Sequence, residues 1–194
     1  MAGLTPATLG LLERAVGYGL CSLEVVTEDA LTDPTPCAGW DLRTLLGHVQ
    51  ESLAILRAGL DAGCVDLEPP APAGLPADRA EDLVGGFRRA AEELLETWQA
   101  TKAAEPVRVG EHRLEPATLE LVGAIEIAVH GWDVARACGQ RRPIPPRLAQ
   151  ELLVLASLLV RRADRPARFA PPVRPAPEAT PSDHLLAFLG RQPD

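Results

Sequence analysis

The segment 116-PATLELVGAIEIAVHGWDVARAC-138 is long, continuous and apolar on almost every side. Leu119, Leu121, Val122, Ile125, Ile127, Ala128, Val129, Trp132 and Val134 surround most of its circumference at helical spacing. A helix apolar nearly all round is one that other helices enclose. Pro116 suits a first helical turn and Gly139 the C′ position, so the spacing predicts a helix over 116–138. Glu126 and His130 stand four residues apart within it and therefore point the same way; Asp133 lies close to that stripe. Polar groups on a buried helix must find partners, because unpaired burial is costly.

The flanking sequence supplies the elements that would enclose it. Leu9, Leu12, Val16, Leu20, Leu23 and Val26 predict a first helix over 5–29, with Thr5 and Pro6 as its start. Two prolines make "LTDPTPCAGWD" (31–41) a loop. Asp41 then reads as an N-cap, and Leu42, Leu45, Leu46, Val49, Leu53, Leu56 and Leu60 form an amphipathic stripe over 42–60. His48 lies on the flank of that stripe, on the side of Thr44 and Ser52. After a Pro/Gly-rich connection (61–76), Leu83, Phe87, Ala91, Leu94 and Trp98 mark a helix over 78–101. "VRVGEHRL" (107–114) alternates as a short hairpin would. Leu148, Leu152, Leu155, Leu159 and Ala163 mark a fifth helix over 146–163. A Pro-rich stretch (164–181) and a short helix capped by Ser182 follow. The fold class this implies is all-α: an antiparallel four-helix bundle with a short C-terminal helix and a small hairpin before the fourth helix. We expect one bundle domain over 1–163, with 164–194 forming a linker and a helix that packs on it.

Composition narrows the function. Aromatic residues are only 4% of the chain, which suits Ala/Leu helix packing rather than a β-sandwich. The net charge of −8, without any run of Lys or Arg, argues against nucleic acid as a partner. No apolar run reaches transmembrane length, so no membrane is expected either. Cys21, Cys37, Cys64 and Cys138 lack the spacing of a zinc knuckle or redox pair, and the first twenty residues lack a secretory pattern. A cytoplasmic protein with reduced thiols is the simplest expectation. Phosphate loops, nucleophile elbows and paired-carboxylate signatures are not evident.

Glu126 and His130 admit two readings. They can form a local hydrogen bond, or they can be two ligands of a divalent cation, which satisfies a carboxylate and an imidazole together. His48 would be a third ligand if the second and fourth helices met there, which spacing does not tell. His112 and His184 read as exposed or capping residues, and Cys37 as a small packed residue with a reactive thiol as the alternative.

Three motifs carry a family resemblance. "TPCAGWDLRTLLGHV" (35–49) resembles the approach to the second helix of DinB-like proteins, and more narrowly of the N-terminal domain of mycothiol-dependent maleylpyruvate isomerases. "EIAVHGWDVARACG" (126–139) is similar to that family's second motif. "DHLLAFLGRQP" (183–193) resembles the closing motif of a compact actinobacterial branch. The resemblance implies a four-helix bundle holding one divalent metal through His48, Glu126 and His130, most simply Zn²⁺, with Fe²⁺ or Ni²⁺ as alternatives. Asp133 would orient a ligand imidazole or pair with Arg136. Those isomerases carry an additional C-terminal domain, where this sequence has a Pro-rich stretch and one helix.

The function expected from the resemblance is a metal-dependent S-transferase or isomerase acting on a small molecule through a low-molecular-weight thiol such as mycothiol. A metal-dependent hydrolase, and a bundle that binds metal or a small ligand without turnover, are the alternatives. Either a monomer or a homodimer is compatible with the sequence.

Overall fold

The computed structural model describes residues 10–65, 79–101, 105–109, 112–165 and 169–193. The long helices fall where apolar periodicity places them: α1 (Leu11–Leu23), α2 (Leu42–Ala62), α3 (Ala80–Thr101) and α4 (Pro116–Ala137). α5 (Pro146–Leu159) and α6 (Pro181–Phe188) follow. Strands β1 (Cys64–Val65), β2 (Val107–Val109) and β3 (His112–Leu114) make one small sheet in the order β1-β2-β3. The protein is thus an all-α, DinB-like four-helix bundle of α1 to α4, with the expected hairpin, β2–β3, before α4.

Local chemistry explains the helix ends. The Asp41 carboxylate accepts the Thr44 amide at 2.8 Å and caps α2. Pro116 occupies the first turn of α4. Gly139, at φ 70°, donates to Arg136 O while Gln140 donates to Ala135 O, the paired bonds of a Schellman termination.

Three expected boundaries are corrected. α1 ends at Leu23 rather than at 29, where the β-branched run Val25-Val26-Thr27 turns away and Asp29–Thr32 forms a 3₁₀ turn; the expected start at Thr5 and Pro6 lies outside the described residues. α5 ends at Leu159 rather than at 163, because Val160 is extended (φ −85°, ψ 102°) and redirects the chain. The cap of α6 is Thr180, whose hydroxyl accepts the Asp183 amide while Asp183 Oδ2 accepts the Thr180 amide. Ser182 is buried in the first turn instead, where its Oγ accepts the Ile144 amide at 3.0 Å.

Residue pairs reveal how the helices run. Gln50 meets Leu83 and Arg57 meets Glu93, so α2 and α3 are parallel. His48 meets Glu126 and Leu56 approaches Gly123, so α2 and α4 are antiparallel. The bundle of α1 to α4 is therefore up-down-down-up. The parallel pairing of β1 with β2 follows, since each strand leaves the C-terminal end of one of two parallel helices. α1 and α4 also run parallel and pack at backbone contact: a Cβ on Gly19 would lie 2.6 Å from Ile127 Cγ2, and one on Gly131 would lie 3.1 Å from Gly19 Cα.

The core is the one the stripes predict. All seven stripe residues of α2 and all five of α3 are buried, and so is most of α4. Val122 is the partly exposed member of α4, and it faces a cleft. α6 packs on α5, tied through the Ser182–Ile144 bond. No helix among the described residues is long and apolar enough to cross a membrane.

Candidate metal centre

The end of the bundle away from the sheet brings α2 and α4 together at their polar positions. Glu126 and His130 share one face of α4, one turn apart, as i,i+4 spacing dictates. His48 reaches them from α2. Its Nε2 lies 3.1 Å from Glu126 Oε1, and His130 Nε2 lies 3.5 Å from that same oxygen. The two imidazoles meet edge-on with centroids 5.4 Å apart. The structure therefore brings together the three residues that sequence spacing could not join.

Each imidazole has its own support. Trp40 packs its ring 4.6 Å from that of His48, and Ser52 Oγ lies 3.4 Å from His48 Nε2. His130 Nδ1 lies 2.9 Å from Asp133 Oδ2, so that nitrogen donates to a buried carboxylate and Nε2 is left for Glu126. Asp133 has no exposed side-chain surface. The cation it meets is Arg191, not Arg136 as one of the two expectations had it: Arg191 Nη2 lies 2.9 Å from Asp133 Oδ2, whereas the Arg136 guanidinium lies over the Trp132 ring.

The electrostatics follow from this packing. Burial favours a neutral Glu126, yet the His130 and His48 rings outweigh it and hold the carboxyl well below the usual range. Burial likewise disfavours a charged His130, but Glu126 first, then Asp133 and Cys37, raise its pKa well above the ordinary imidazole value. Asp133 is depressed, because Arg191 and His130 overcome the cost of its burial. Metal-free, the site is a compact set of alternating charges.

The donor set fits a divalent cation. Ligands bound at 2.0–2.2 Å in a tetrahedron lie about 3.3 Å apart. The separations of Glu126 Oε1 from His48 Nε2 and His130 Nε2, 3.1 and 3.5 Å, bracket that spacing, and all three ligand atoms lie within 4.8 Å of one another. Two imidazoles and one carboxylate leave coordination positions open, as reactive rather than structural sites do. A second group, Cys37, His130 and Asp133, is similarly close. There the positive charge is already supplied: Arg191 Nη2 contacts Asp133 at 2.9 Å and Cys37 Sγ at 3.5 Å. That group is a hydrogen-bonded support for His130.

The open side faces a cleft of about 1040 Å³. Glu126, His48 and His130 line it, together with the apolar side chains of Trp40, Val122, Ile125, Phe169, Pro171 and Leu189. Cys37 also lines it, held by the turn in which Trp40 N–H donates to Cys37 O. Sequence reasoning gave Cys37 as a small packed residue; its thiol lies 3.4 Å from Asp133 Oδ2. Arg191 was not identified from the sequence. The available signal was the Leu-Gly-Arg that follows a short capped helix, since a glycine C′ fixes where the next side chain goes. His184 is exposed on α6, as expected.

A DinB-like bundle that converges two imidazoles and a carboxylate from facing helices on an open cleft defines a class of candidate metal proteins. The model of the mycothiol maleylpyruvate isomerase N-terminal domain matches residues 14–135, which contain the whole triad. The chain belongs to that family. An uncharacterized protein of Mycobacterium tuberculosis strain H37Rv, Rv0738, is 32% identical over 188 residues, covering 92% of this chain and 94% of the relative. A second from the same strain, Rv0036c, is 30% identical over 152 residues, covering 70% of this chain and 56% of its own length.

Proposed function

We propose that the protein binds one divalent cation, Zn²⁺ before Fe²⁺ or Ni²⁺, through His48, Glu126 and His130. With it the protein acts on a small molecule as an S-transferase or isomerase that uses a mycothiol-type thiol. The observation that carries this reading is the convergence of His48 Nε2 and His130 Nε2 on Glu126 Oε1 at cation-ligand spacing, beside an open cleft. Membership of a family described by mycothiol supports the choice of thiol.

A bound cation would lower the pKa of a thiol ligand and hold it as the nucleophilic thiolate. The chain's own residues do the rest. Asp133 accepts the Nδ1 hydrogen of His130 and so presents Nε2. Trp40 and Ser52 steady His48. The apolar walls around Trp40, Val122, Ile125 and Phe169 exclude water from the carbon skeleton of an electrophile lying against the site.

The test is elemental analysis of untagged protein beside His48→Ala and His130→Ala, followed by thiol-dependent loss of monochlorobimane on the metal form. About one metal per chain, lost in both variants, with turnover that requires thiol, is the expected result. Turnover of an ester or amide without thiol would replace this reading with the hydrolase. Metal bound without either activity would leave a binding protein. Lack of metal after reconstitution would overturn the site.

A further inference from the structure

Arg191 reaches the site from the end of the fold. α6 stops in a Schellman termination, where the Gly190 amide donates to Ala187 O at 3.1 Å and the Arg191 amide to Leu186 O at 2.9 Å. Gly190 has φ 83°, and a Cβ there would lie 2.7 Å from both Cβ and O of Ala170, so glycine alone fits. This turn aims the Arg191 side chain inward, leaving it 12% exposed. Nη2 lies 2.9 Å from Asp133 Oδ2 and Nε 3.4 Å from Oδ1, while Nη1 donates to Leu189 O at 3.2 Å. The same Asp133 Oδ2 accepts from His130 Nδ1.

We propose that Arg191 is a positioning residue of the metal centre: by gripping both oxygens of Asp133 it holds that carboxylate against His130 Nδ1 and keeps Nε2 directed at Glu126 and His48. The proposal rests on the reading of His48, Glu126 and His130 as ligands. Asp133 has no solvent to orient it, so its rotamer is set by the groups that touch it. A planar guanidinium gripping two oxygens fixes both the position and the plane of a carboxylate, which a point charge does not. A carboxylate so fixed presents one oxygen to the imidazole, and partners of this kind, one bond removed from the metal, typically contribute 10–100-fold to affinity. Arg191 belongs to the segment that follows α6, and Cys37, which its Nη2 also touches, belongs to the loop before α2. The centre is therefore complete only when the C-terminal segment is docked on the bundle.

The test compares untagged Arg191→Met, Arg191→Lys and Leu94→Ala with the unmodified protein. Leu94 is a buried residue of α3, a helix that supplies no side chain to the site, so its variant loosens the bundle without touching the segment that carries Arg191. Zn²⁺ affinity is read by chelator competition, coordination by the visible spectrum of the Co²⁺ form, and the His130 Nδ1 hydrogen by ¹⁵N-edited NMR of metal-free protein. Arg191→Met is expected to weaken Zn²⁺ binding by no more than the about 10–100-fold that a direct partner of a ligand contributes, to alter the Co²⁺ spectrum and to lose the hydrogen-bonded Nδ1 resonance. Arg191→Lys should recover part of this, and Leu94→Ala should keep unmodified affinity at reduced stability. Unmodified affinity and spectrum in Arg191→Met would overturn the proposal. So would an equal loss in Arg191→Met and Leu94→Ala, which would make the effect one of packing. If the unmodified protein binds no metal, the function reading fails separately and the NMR decides: loss of the Nδ1 resonance in Arg191→Met upholds the positioning role, and its persistence overturns it.

Discussion

His130 Nδ1 and Asp133 Oδ2 lie 2.9 Å apart on α4, so the imidazole is oriented from behind before any cation meets its other nitrogen. The pair is three residues apart in sequence and buried, and its geometry is set by helix pitch. From it and its neighbours several measurable outcomes follow.

Metal affinity should rise with pH. In the metal-free protein Glu126 and Asp133 hold His130 protonated above the ordinary imidazole range. A cation at Nε2 must displace that proton, so Kd is expected to fall about tenfold per pH unit until the raised pKa is passed. Metal-free stability has two limits. The charged His130 stabilises the fold below the ordinary imidazole range, and this is lost as pH rises through the raised value. The depressed Glu126 and Asp133 stabilise it above the carboxylate range, and this is lost as pH falls through their lowered values. Isothermal titration from pH 5 to about 9 checks the affinity, and thermal melts from about pH 2 to about 10 check the two stability limits. A pH-independent Kd would contradict the proton displacement.

Asp133→Ala should destabilise metal-free protein by about 3 kcal/mol, because it leaves the largely buried Arg191 guanidinium without its counter-charge. Asp133→Ala combined with Arg191→Met should regain part of that loss. Urea unfolding of the two single variants and the double variant reads the coupling; strictly additive losses would mean that the pair does not interact energetically.

Two glycines of α1 should respond oppositely to alanine. Gly17 faces open space, so Gly17→Ala should gain about 0.5–1 kcal/mol from helix propensity. A Cβ on Gly19 would lie 2.6 Å from Ile127 Cγ2, within the α1–α4 contact, so Gly19→Ala should lose about 1–3 kcal/mol through overpacking. Thermal denaturation that moved both variants in one direction would contradict the close approach of α1 to α4.

Asp41→Ala should cost about 1 kcal/mol by removing the cap of α2, and Asp41→Asn should retain most of it. The capped carboxyl has a lowered pKa, chiefly through its bond to Thr44. Its contribution is therefore present above the ordinary Asp range and lost as pH falls through the lowered value. The stability difference between Asp41→Ala and the unmodified protein should vanish in acid; a difference that persisted there would point to a role other than capping.

Apolar stripes located α2, α3 and α4 to within about two residues, because burying one helical face constrains sequence at every turn. They overran α1 and α5, where hydrophobic residues continue past the helix into Val26 and Val160 and pack without being helical. Ser182 showed the same limit: a good capping residue type was instead needed inside the turn, where a buried amide wanted an acceptor.

By itself the sequence determined what local geometry dictates. It set the all-α class, the buried character of α4, the cap at Asp41, and the placing of Glu126, His130 and Asp133 along one stripe, since residues three and four apart on a helix are neighbours whatever surrounds them. The family resemblance set His48 against that stripe as an expectation. Only the tertiary structure decided that α2 runs parallel to α3 and antiparallel to α4, which brings His48 to 3.1 Å from Glu126. Only it brought Arg191 and Cys37 onto Asp133, across 58 and 96 residues of chain. Contacts of that span depend on how whole helices pack and on where a terminal segment docks, and no local pattern in the residues between them records the outcome.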